Sequence, residues 1–580
     1  MAAAELYRSA DLLVRARTGC ESRYCVVTFH SYTDHRTLER EGFGEGFLAS
    51  RGVNAVHILS RDNEWYLLPD IELALEAAAK AVASFERVSV YGSSMGAYAA
   101  MRFGGLAGAT TAIALSPQFS LDPRVAPFEN RWELDARRLD YEIERRLARK
   151  GFVPSAYVFY DPTDRDARHV ELFRPSVAIH DVRLPDCGHP VTGFLAEVRL
   201  LERAVLEAAE GKFDPAAFER EALAMRERAP QYYLTLASRP NPRKRKVELV
   251  RRAHELFATD VGYMARYAQA LWRAGRDEEA VEKFDQAMKA EPDHHFVMRF
   301  VCEFLDAKGR RPAARAAVEW LSRLHPGAAP IEHVRASLSQ PRLSETPRHW
   351  RARLARLRSG QAAPRPTLSP PLARLKTPPG ASPPRAPASP PTIRAWMRHA
   401  SVIEAVPGSP IDIALIGDSL AEEWPKRAWR GRRVLNLGSS GDRSQHLLWR
   451  LACFDDGGVD AKAAIIIIGV NNLKAGDPVE AIIEAVGDVV RETRRLAPRA
   501  RIAIVSLPPF GPNFQFRDDD RKTLNESLAR LPEVVVVREP ADWAPHSAEA
   551  SCYRPDALHF TRAGYERLTV TAMRALAAAP

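Results

Sequence analysis

Residues 87–101 read Arg-Val-Ser-Val-Tyr-Gly-Ser-Ser-Met-Gly-Ala-Tyr-Ala-Ala-Met, and the fold of the first third of the chain turns on them. Arg87 to Tyr91 is a short β-branched and aromatic run of buried-strand type, while Ala97 to Met101 has helix composition. Between them, Gly92-Ser93-Ser94-Met95-Gly96 sets a serine on a sharp turn that only flanking glycines permit sterically. The turn presents the Ser94 hydroxyl at a helix start, where unpaired amides and the helix dipole favour developing negative charge. Outward from this stretch, strands are predicted at 25–30, 54–59, 112–115 and 156–160, alternating with helical patterns. That alternation is the signature of a parallel α/β sheet.

A strand–serine turn–helix of this kind resembles the nucleophile elbow of the α/β-hydrolase family, over roughly residues 20–210. The resemblance implies Ser94 as nucleophile, His189 of Cys187-Gly188-His189-Pro190 as general base, and Asp164 as the acid that orients the imidazole, with Asp161 and Asp166 as competitors. It also implies an oxyanion hole made of the Met95 amide and one from the loop after strand 25–30, where His30-Ser31-Tyr32 stands in place of the usual His-Gly-x; Tyr32 or Ser31 supplies that amide. Asn63-Glu64-Trp65-Tyr66 and the stretch 116–123 look like hydrolases of bacterial surface-polysaccharide biosynthesis. Trp65 and Tyr66 read first as buried aromatics under a loop and second as a sugar-stacking platform.

The last third repeats the theme with different residues. Strands are predicted at 411–416, 434–437, 464–468, 502–507 and 534–537. Gly417-Asp418-Ser419-Leu420 follows the first, Asn436-Leu437-Gly438-Ser439-Ser440-Gly441-Asp442 the second and Gly469-Val470-Asn471-Asn472 the third, and Asp556-Ala557-Leu558-His559 stands near the end. Four such blocks in this order resemble the SGNH hydrolases of the GDSL esterase family over about 409–578, which implies a flavodoxin-like sheet with its site along the carboxyl edge. By the same resemblance Ser419 is the nucleophile, His559 its base and Asp556 the acid, with the amides of Ser419 and Gly438 and the side chain of Asn471 facing the oxyanion. Asn472 in place of the commoner Asp, with Gly441-Asp442-Arg443-Ser444 and Leu448-Trp449-Arg450-Leu451, is similar to the platelet-activating-factor acetylhydrolase catalytic-subunit branch, whose members prefer short acyl groups. Asp418 reads as structural, bonding amides around the serine turn, and His446 as an ordinary surface histidine.

Between the ends, residues 261–328 recur at a period of about 34. Ala268, Gly275, Ala280, Phe284, Ala287 and Pro292, then Gly309, Ala314 and Pro326, resemble tetratricopeptide positions, with flanking helices expected near 244–257 and after 331. Residues 364–391 hold eleven prolines and cannot form a core. The expected organisation is therefore an α/β-hydrolase domain at 1–215, a tetratricopeptide-like α-helical module at 216–340, a basic Pro-rich disordered linker at 341–400, and an SGNH/GDSL domain at 401–580. The fold class is α/β: two separate three-layer αβα hydrolase domains joined by helices and a linker.

Composition sets the limits on function. The net charge of +10 resides in the connector, where twelve basic residues between Arg342 and Arg398 face one acid, Glu345. No basic face on a folded domain follows, so nucleic acid is not an expected partner and any membrane contact is confined to the linker. No uncharged apolar run approaches the ~20 residues of a membrane span, and Glu5, Arg8 and Asp11 stand where a signal peptide would be apolar. Six cysteines lack metal or disulfide spacing, consistent with a cytoplasmic protein with reduced thiols. The reading is a two-site serine carboxylic-ester hydrolase needing no metal or cofactor, acting on short O-acetyl-like esters of a bacterial saccharide, glycan or other polymer, with a protein partner at the helical repeats. The alternatives are an acyltransferase acting on a glycan and a non-catalytic scaffold with relic hydrolase folds.

Overall fold

The computed structural model describes residues 4–33, 36–326, 329–339, 374–375, 383–406, 409–538 and 552–578. They form two compact units, Met1–Arg276 and Asp277–Pro580. In the first unit, strands β1 (Ala4–Arg8), β2 (Leu12–Arg17), β3 (Tyr24–Phe29), β4 (Asn54–Ser60), β5 (Arg87–Ser93), β6 (Thr111–Leu115), β7 (Ser155–Tyr160) and β8 (Ala178–Arg183) make one sheet in the order β1-β2-β4-β3-β5-β6-β7-β8. β1 and β2 run antiparallel to their neighbours, and the rest are parallel. Side-chain alternation divides the core: Val88, Val90, Ala112, Ala114, Ala156 and Val158 face one helical layer. Tyr91, Ile113, Leu115 and Phe159 face the other. Helices Ile71–Val82, Met95–Phe103 and Tyr141–Gly151 cover the first face. Val191–Glu197, Leu201–Glu210 and Pro215–Met225 cover the second, whose core runs on to Tyr232.

The elbow is explained by what its glycines touch. A Cβ on Gly92 would lie 2.3 Å from the Gly96 carbonyl carbon, and one on Gly96 would lie 2.4 Å from the Phe29 carbonyl oxygen. Helix Met95–Phe103 can therefore start against both β5 and β3 only with glycine at these positions. Ser94 itself takes φ 50° and ψ −115°, a conformation outside the usual regions for an L residue.

In the second unit, β9 (Ile411–Gly417), β10 (Val434–Asn436), β11 (Ala461–Ile467), β12 (Arg501–Val505) and β13 (Val534–Val537) form an all-parallel sheet in the order β10-β9-β11-β12-β13. β9 and β11 are nearly continuous apolar runs, as strands covered on both faces must be. Helix Asp277–Ala290, the pair His295–Ala307 and Arg311–Leu324, and helix Ala329–Ser339 precede this domain in the same unit. Gly309 closes the turn of the pair at φ 74°, and buried Ala313, Ala314, Ala316 and Ala317 leave room for close helix approach.

The connector differs from expectation at its end. Most of it, 340–373 and 376–382, lies outside the described residues. From Pro383 onward, though, the chain is built into the second unit rather than spacing it from the helices. Helix Ile393–Glu404 starts at Thr392, whose hydroxyl accepts from the Ala395 amide, and buries Ile393, Trp396, Ala400 and Ile403 on one face. Trp449 of the C-terminal sheet domain stacks edge-on against both Trp396 and Trp320, each at 5.3 Å between ring centroids. Asp293 accepts from Trp320 Nε1 (2.9 Å) and Ser389 Oγ (2.7 Å), and the Ile393 amide donates to Asp285 (2.9 Å). The helical pairs and the C-terminal sheet domain thus share one interface. No helix among the described residues is long and apolar enough to cross a membrane.

Candidate active sites

Ser94 stands at the carboxyl end of β5, and His189 is carried to it by the loop after β8. Ser94 Oγ bonds His189 Nε2 at 2.9 Å, and His189 Nδ1 bonds Asp166 Oδ2 at 2.7 Å. The carboxylate that bonds His189 is therefore that of Asp166 and not that of Asp164. Asp166 opens helix Asp166–Phe173 fully buried, whereas Asp164, two residues earlier in the turn, accepts from Arg131 Nη1 (2.9 Å) and from the Asp166 amide (3.2 Å). The third candidate, Asp161, holds the base's loop, accepting from the Gly188 amide at 2.8 Å. Burial would raise the Asp166 carboxyl, but His189 and Arg131 outweigh it and hold that group well below the usual carboxylate range. Asp164, Asp166 and His189 have the proximity of a metal site. Arg131, with Nη1 on Asp164 and Nη2 on Asp166 (2.8 Å), already supplies a cation to both carboxylates.

Around this serine, the Met95 amide donates to no group among the described residues. Tyr32 belongs to an aromatic wall: its ring lies 4.8 Å from Trp132 and 5.8 Å from Trp65, and Trp132 lies 6.4 Å from the His189 ring. Trp65 and Tyr66 are fully buried, and the Tyr66 hydroxyl donates to the carbonyls of His30 and Ile58. They hold the loop that carries Tyr32, and present no open face on which a sugar could stack. Two residues near the centre were given no role from the sequence. Gln118, three residues beyond β6, donates from Nε2 to Ser94 Oγ at 3.2 Å, and Arg131 ties Asp166 to Glu129. Only their place after a strand end and before the acid's helix could have marked them.

The second serine, Ser419, follows β9, and its hydroxyl lies 2.9 Å from His559 Nε2. His559 Nδ1 bonds Asp556 Oδ2 at 2.6 Å, while Asp556 Oδ1 accepts the amides of Leu558 (3.1 Å) and His559 (3.0 Å). Acid and base form one self-braced turn. Burial pulls the Asp556 carboxyl upward, and the His559 contacts override it to leave the group below its ordinary value. Ser419 donates no backbone bond among the described residues, and Asn471 Nδ2 donates to the Asp442 carbonyl at 3.0 Å, leaving its second hydrogen for a ligand. Gly438 does not fit the expected role. Its amide donates to Asn436 Oδ1 at 2.9 Å, because Asn436 turns back over the helix after Ser419. Gly441, at φ 81° with open space beside it, has an amide that donates to nothing among the described residues and adjoins the Asp442 to which Asn471 bonds.

Beneath this serine lies a buried charged layer. Arg450 donates to Asp442 Oδ2 (2.7 Å from Nε), to the Leu437 carbonyl (2.7 Å) and to the Gly417 carbonyl (3.3 Å). Asp418 Oδ1 accepts from the Leu420 amide at 3.0 Å, as the sequence reading had it, and its Oδ2 is buried without a partner. Burial, with Asp442 adding to it, pushes Asp418 up to about 7, and burial pushes Asp442 up to about 6. Asn472 is buried and bonds Ser444, Gln445 and Asp477, so it braces the loop below Asn471. His446 is not a surface residue: it is 5% exposed, accepts from the Arg443 amide, and is driven down to about 3 by burial and the nearby Arg443 and Arg450.

A serine bonded to an imidazole whose far nitrogen meets a carboxylate can give up its proton as it attacks an acyl carbon. Both centres have that arrangement. Residues 415–567 match the model of the GDSL-like lipase/acylhydrolase family. The chain is 29% identical over 169 residues to platelet-activating factor acetylhydrolase IB subunit alpha2 of Homo sapiens, covering 27% of this chain and 72% of that protein. It is 26% identical over 182 residues to subunit alpha1 of Rattus norvegicus, covering 29% and 77%. Among solved structures, a member of the lipolytic protein G-D-S-L family from Veillonella parvula aligns with 29% of this chain and 99% of its own, at 13% identity and a TM-score of 0.25. The family model therefore identifies a GDSL-like lipase/acylhydrolase domain at the C-terminal end of the chain.

Proposed function

We propose that the chain is a serine carboxylic-ester hydrolase with two active sites, each working through an acyl-enzyme. The observation that carries this is the pair of unbroken hydrogen-bond chains, Ser94–His189–Asp166 and Ser419–His559–Asp556, at the carboxyl ends of the parallel strands of two different sheets. In the C-terminal site Ser419 attacks the ester, His559 takes its proton and returns it to the leaving alcohol, and water repeats the cycle to release the acid. The amides of Ser419 and Gly441 and the side chain of Asn471 receive the oxyanion, Gly441 standing in for the occupied Gly438.

The strand order and the elbow geometry support reading the first unit as an α/β-hydrolase, with the Met95 amide and one from the loop carrying Tyr32 as its oxyanion donors. The alanine-rich hairpins support a tetratricopeptide-like module between the sites, and the absence of disulfides among the six cysteines fits a cytoplasmic protein. The resemblance to platelet-activating-factor acetylhydrolases supports a short acyl group, and that to polysaccharide-associated hydrolases supports a saccharide or other acylated polymer as its carrier. A fluorophosphonate probe with peptide mapping tests the reading: it should label Ser94 and Ser419 in the folded protein and neither after unfolding. Ser419→Ala should abolish most hydrolysis of a short-chain aryl ester by the C-terminal site, and a product mixture dominated by acyl transfer to an added saccharide would overturn hydrolysis in favour of transfer.

A further inference from the structure

The polar groups around Ser94 do not end at the triad. Gln118 is fully buried and aims its side-chain amide at the reacting atoms: Nε2 lies 3.2 Å from Ser94 Oγ and 3.5 Å from His189 Nε2, while Oε1 has no partner. With Nδ1–H of His189 turned to Asp166, its Nε2 is an acceptor, so a donor is the group that fits between it and the serine oxygen. The next residue, Phe119, gives its amide to His169 Nδ1 at 3.0 Å. This fixes the His169 tautomer, whose Nε2–H donates to Glu129 at 3.0 Å. Glu129 receives Arg131 at 2.5 Å, and Arg131 donates to Asp166 at 2.8 Å. The bonds therefore close into a ring: Ser94, His189, Asp166, Arg131, Glu129, His169, Phe119, Gln118 and back to Ser94. His169, Glu129 and Asp166 are buried within it, where unpaired charge would be costly, and Glu129 is held down to about 2 against burial by His169 and Arg131.

Resting on the hydrolase reading of this site, we infer that Gln118 is a further catalytic residue, and that His169, Glu129 and Arg131 are positioning residues that hold it on the nucleophile. In acylation the bond from Ser94 Oγ to the acyl carbon forms, the serine proton passes to His189 Nε2, and the ester's alkoxy oxygen departs with that proton. Gln118 moves no proton. Its N–H stabilises negative charge gathering on Oγ, and after acylation it faces the oxygen that leaves or enters beside His189. In deacylation a water oxygen bonds to the acyl carbon, its proton goes to His189, and Oγ recovers that proton as the acyl bond breaks.

The test uses the full chain and the rate of fluorophosphonate labelling at Ser94, with Ser419 in the same molecule as the internal reference. Gln118→Met keeps the volume but removes the donor, and should lower the Ser94-to-Ser419 rate ratio roughly tenfold to hundredfold. His169→Ala releases the Phe119 amide and should lower the ratio as well. Because part of its effect passes through Gln118, it should cost less in the Gln118→Met background than in the parent. A Gln118→Met protein at the parental ratio overturns the catalytic role. Additive losses in the double variant overturn the positioning role, and if His169→Ala does not fold, Gln118→Met alone decides. A parent chain labelled at Ser419 but never at Ser94 overturns the hydrolase reading of the first site, and this inference with it.

Discussion

Asp418→Asn should stabilise the C-terminal sheet domain above neutral pH. Asp418 is buried directly before Ser419, with Oδ1 on the Leu420 amide and Oδ2 facing nothing. The folded protein raises this carboxyl from 3.8 to about 7, through burial first and Asp442 second. The fold therefore keeps a proton that the unfolded chain gives up, so the stability of the unit falls as pH climbs from about 4 to about 7 and levels off above that. The span corresponds to about 4 kcal/mol. Asparagine has the shape of the protonated acid and retains the oxygen that accepts Leu420. The variant should match the parent near pH 4 and be more stable near pH 8, by up to about 4 kcal/mol. Asp442, raised in the same direction, is present in both proteins and cancels in the comparison. Urea unfolding, read by pulsed deuterium labelling of the peptide that carries Ile411–Gly417, measures the difference at both pH values. A variant less stable than the parent near pH 8 would mean that the fold holds the carboxylate and not the acid, which would refute the reasoning.

Asp166→Asn should slow fluorophosphonate labelling of Ser94 by about 10⁴-fold through the wrong His189 tautomer, whereas Asp164→Asn should cost far less; equal losses would undo the assignment of the acid. Asn471→Ala should lower turnover of a short-chain aryl ester roughly 10²–10³-fold with little change in KM, measured by steady-state kinetics in a Ser94→Ala chain. A rise in KM at unchanged kcat would place Asn471 in ground-state binding instead. A protease site introduced within 340–373 and cleaved should leave two pieces that co-elute in size-exclusion chromatography, because Trp320, Trp396 and Trp449 and the Asp293 bonds join them. Trp320→Ala should favour their separation, and pieces that part with Trp320 intact would contradict that interface.

The motifs were legible because their chemistry requires particular residues at particular strand ends. Ten strands follow the apolar runs, with boundaries shifted by a few residues. The three that the runs did not reveal, β1, β2 and β8, lie toward the sheet edges and carry Glu5, Arg8, Arg15, Arg17, His180, Asp181 and Arg183. The edge strands β1 and β8 are largely exposed and need no continuous apolar run, and β2, though mostly buried, is interrupted by Arg15 and Arg17. The sequence placed the acid at Asp164, with Asp161 and Asp166 as competitors, and missed that Asp166 is the one bonded to His189, since residues two apart in one turn, both of which meet Arg131, differ only in where the helix begins. Gly438 was expected to face the oxyanion, and what occupies its amide is Asn436, a residue with no chemical signature of its own. Helix Ile393–Glu404 was hidden by the proline-rich composition before it, although Thr392 and the spacing of Ile393, Trp396, Ala400 and Ile403 spell it out.

Arg450 gives the C-terminal site a mechanical character. One guanidinium grips the carbonyl that ends β9, a carbonyl just beyond β10, and the carboxylate of the loop on which Asn471 rests. The serine's strand and the wall facing the oxyanion are thus bolted to a common rivet and cannot drift apart independently. A pocket of that kind has little left to assemble when an ester arrives, so its activation entropy should be small in magnitude. Loosening the rivet, as Arg450→Lys would, should make that entropy more negative even where the folded sheet survives.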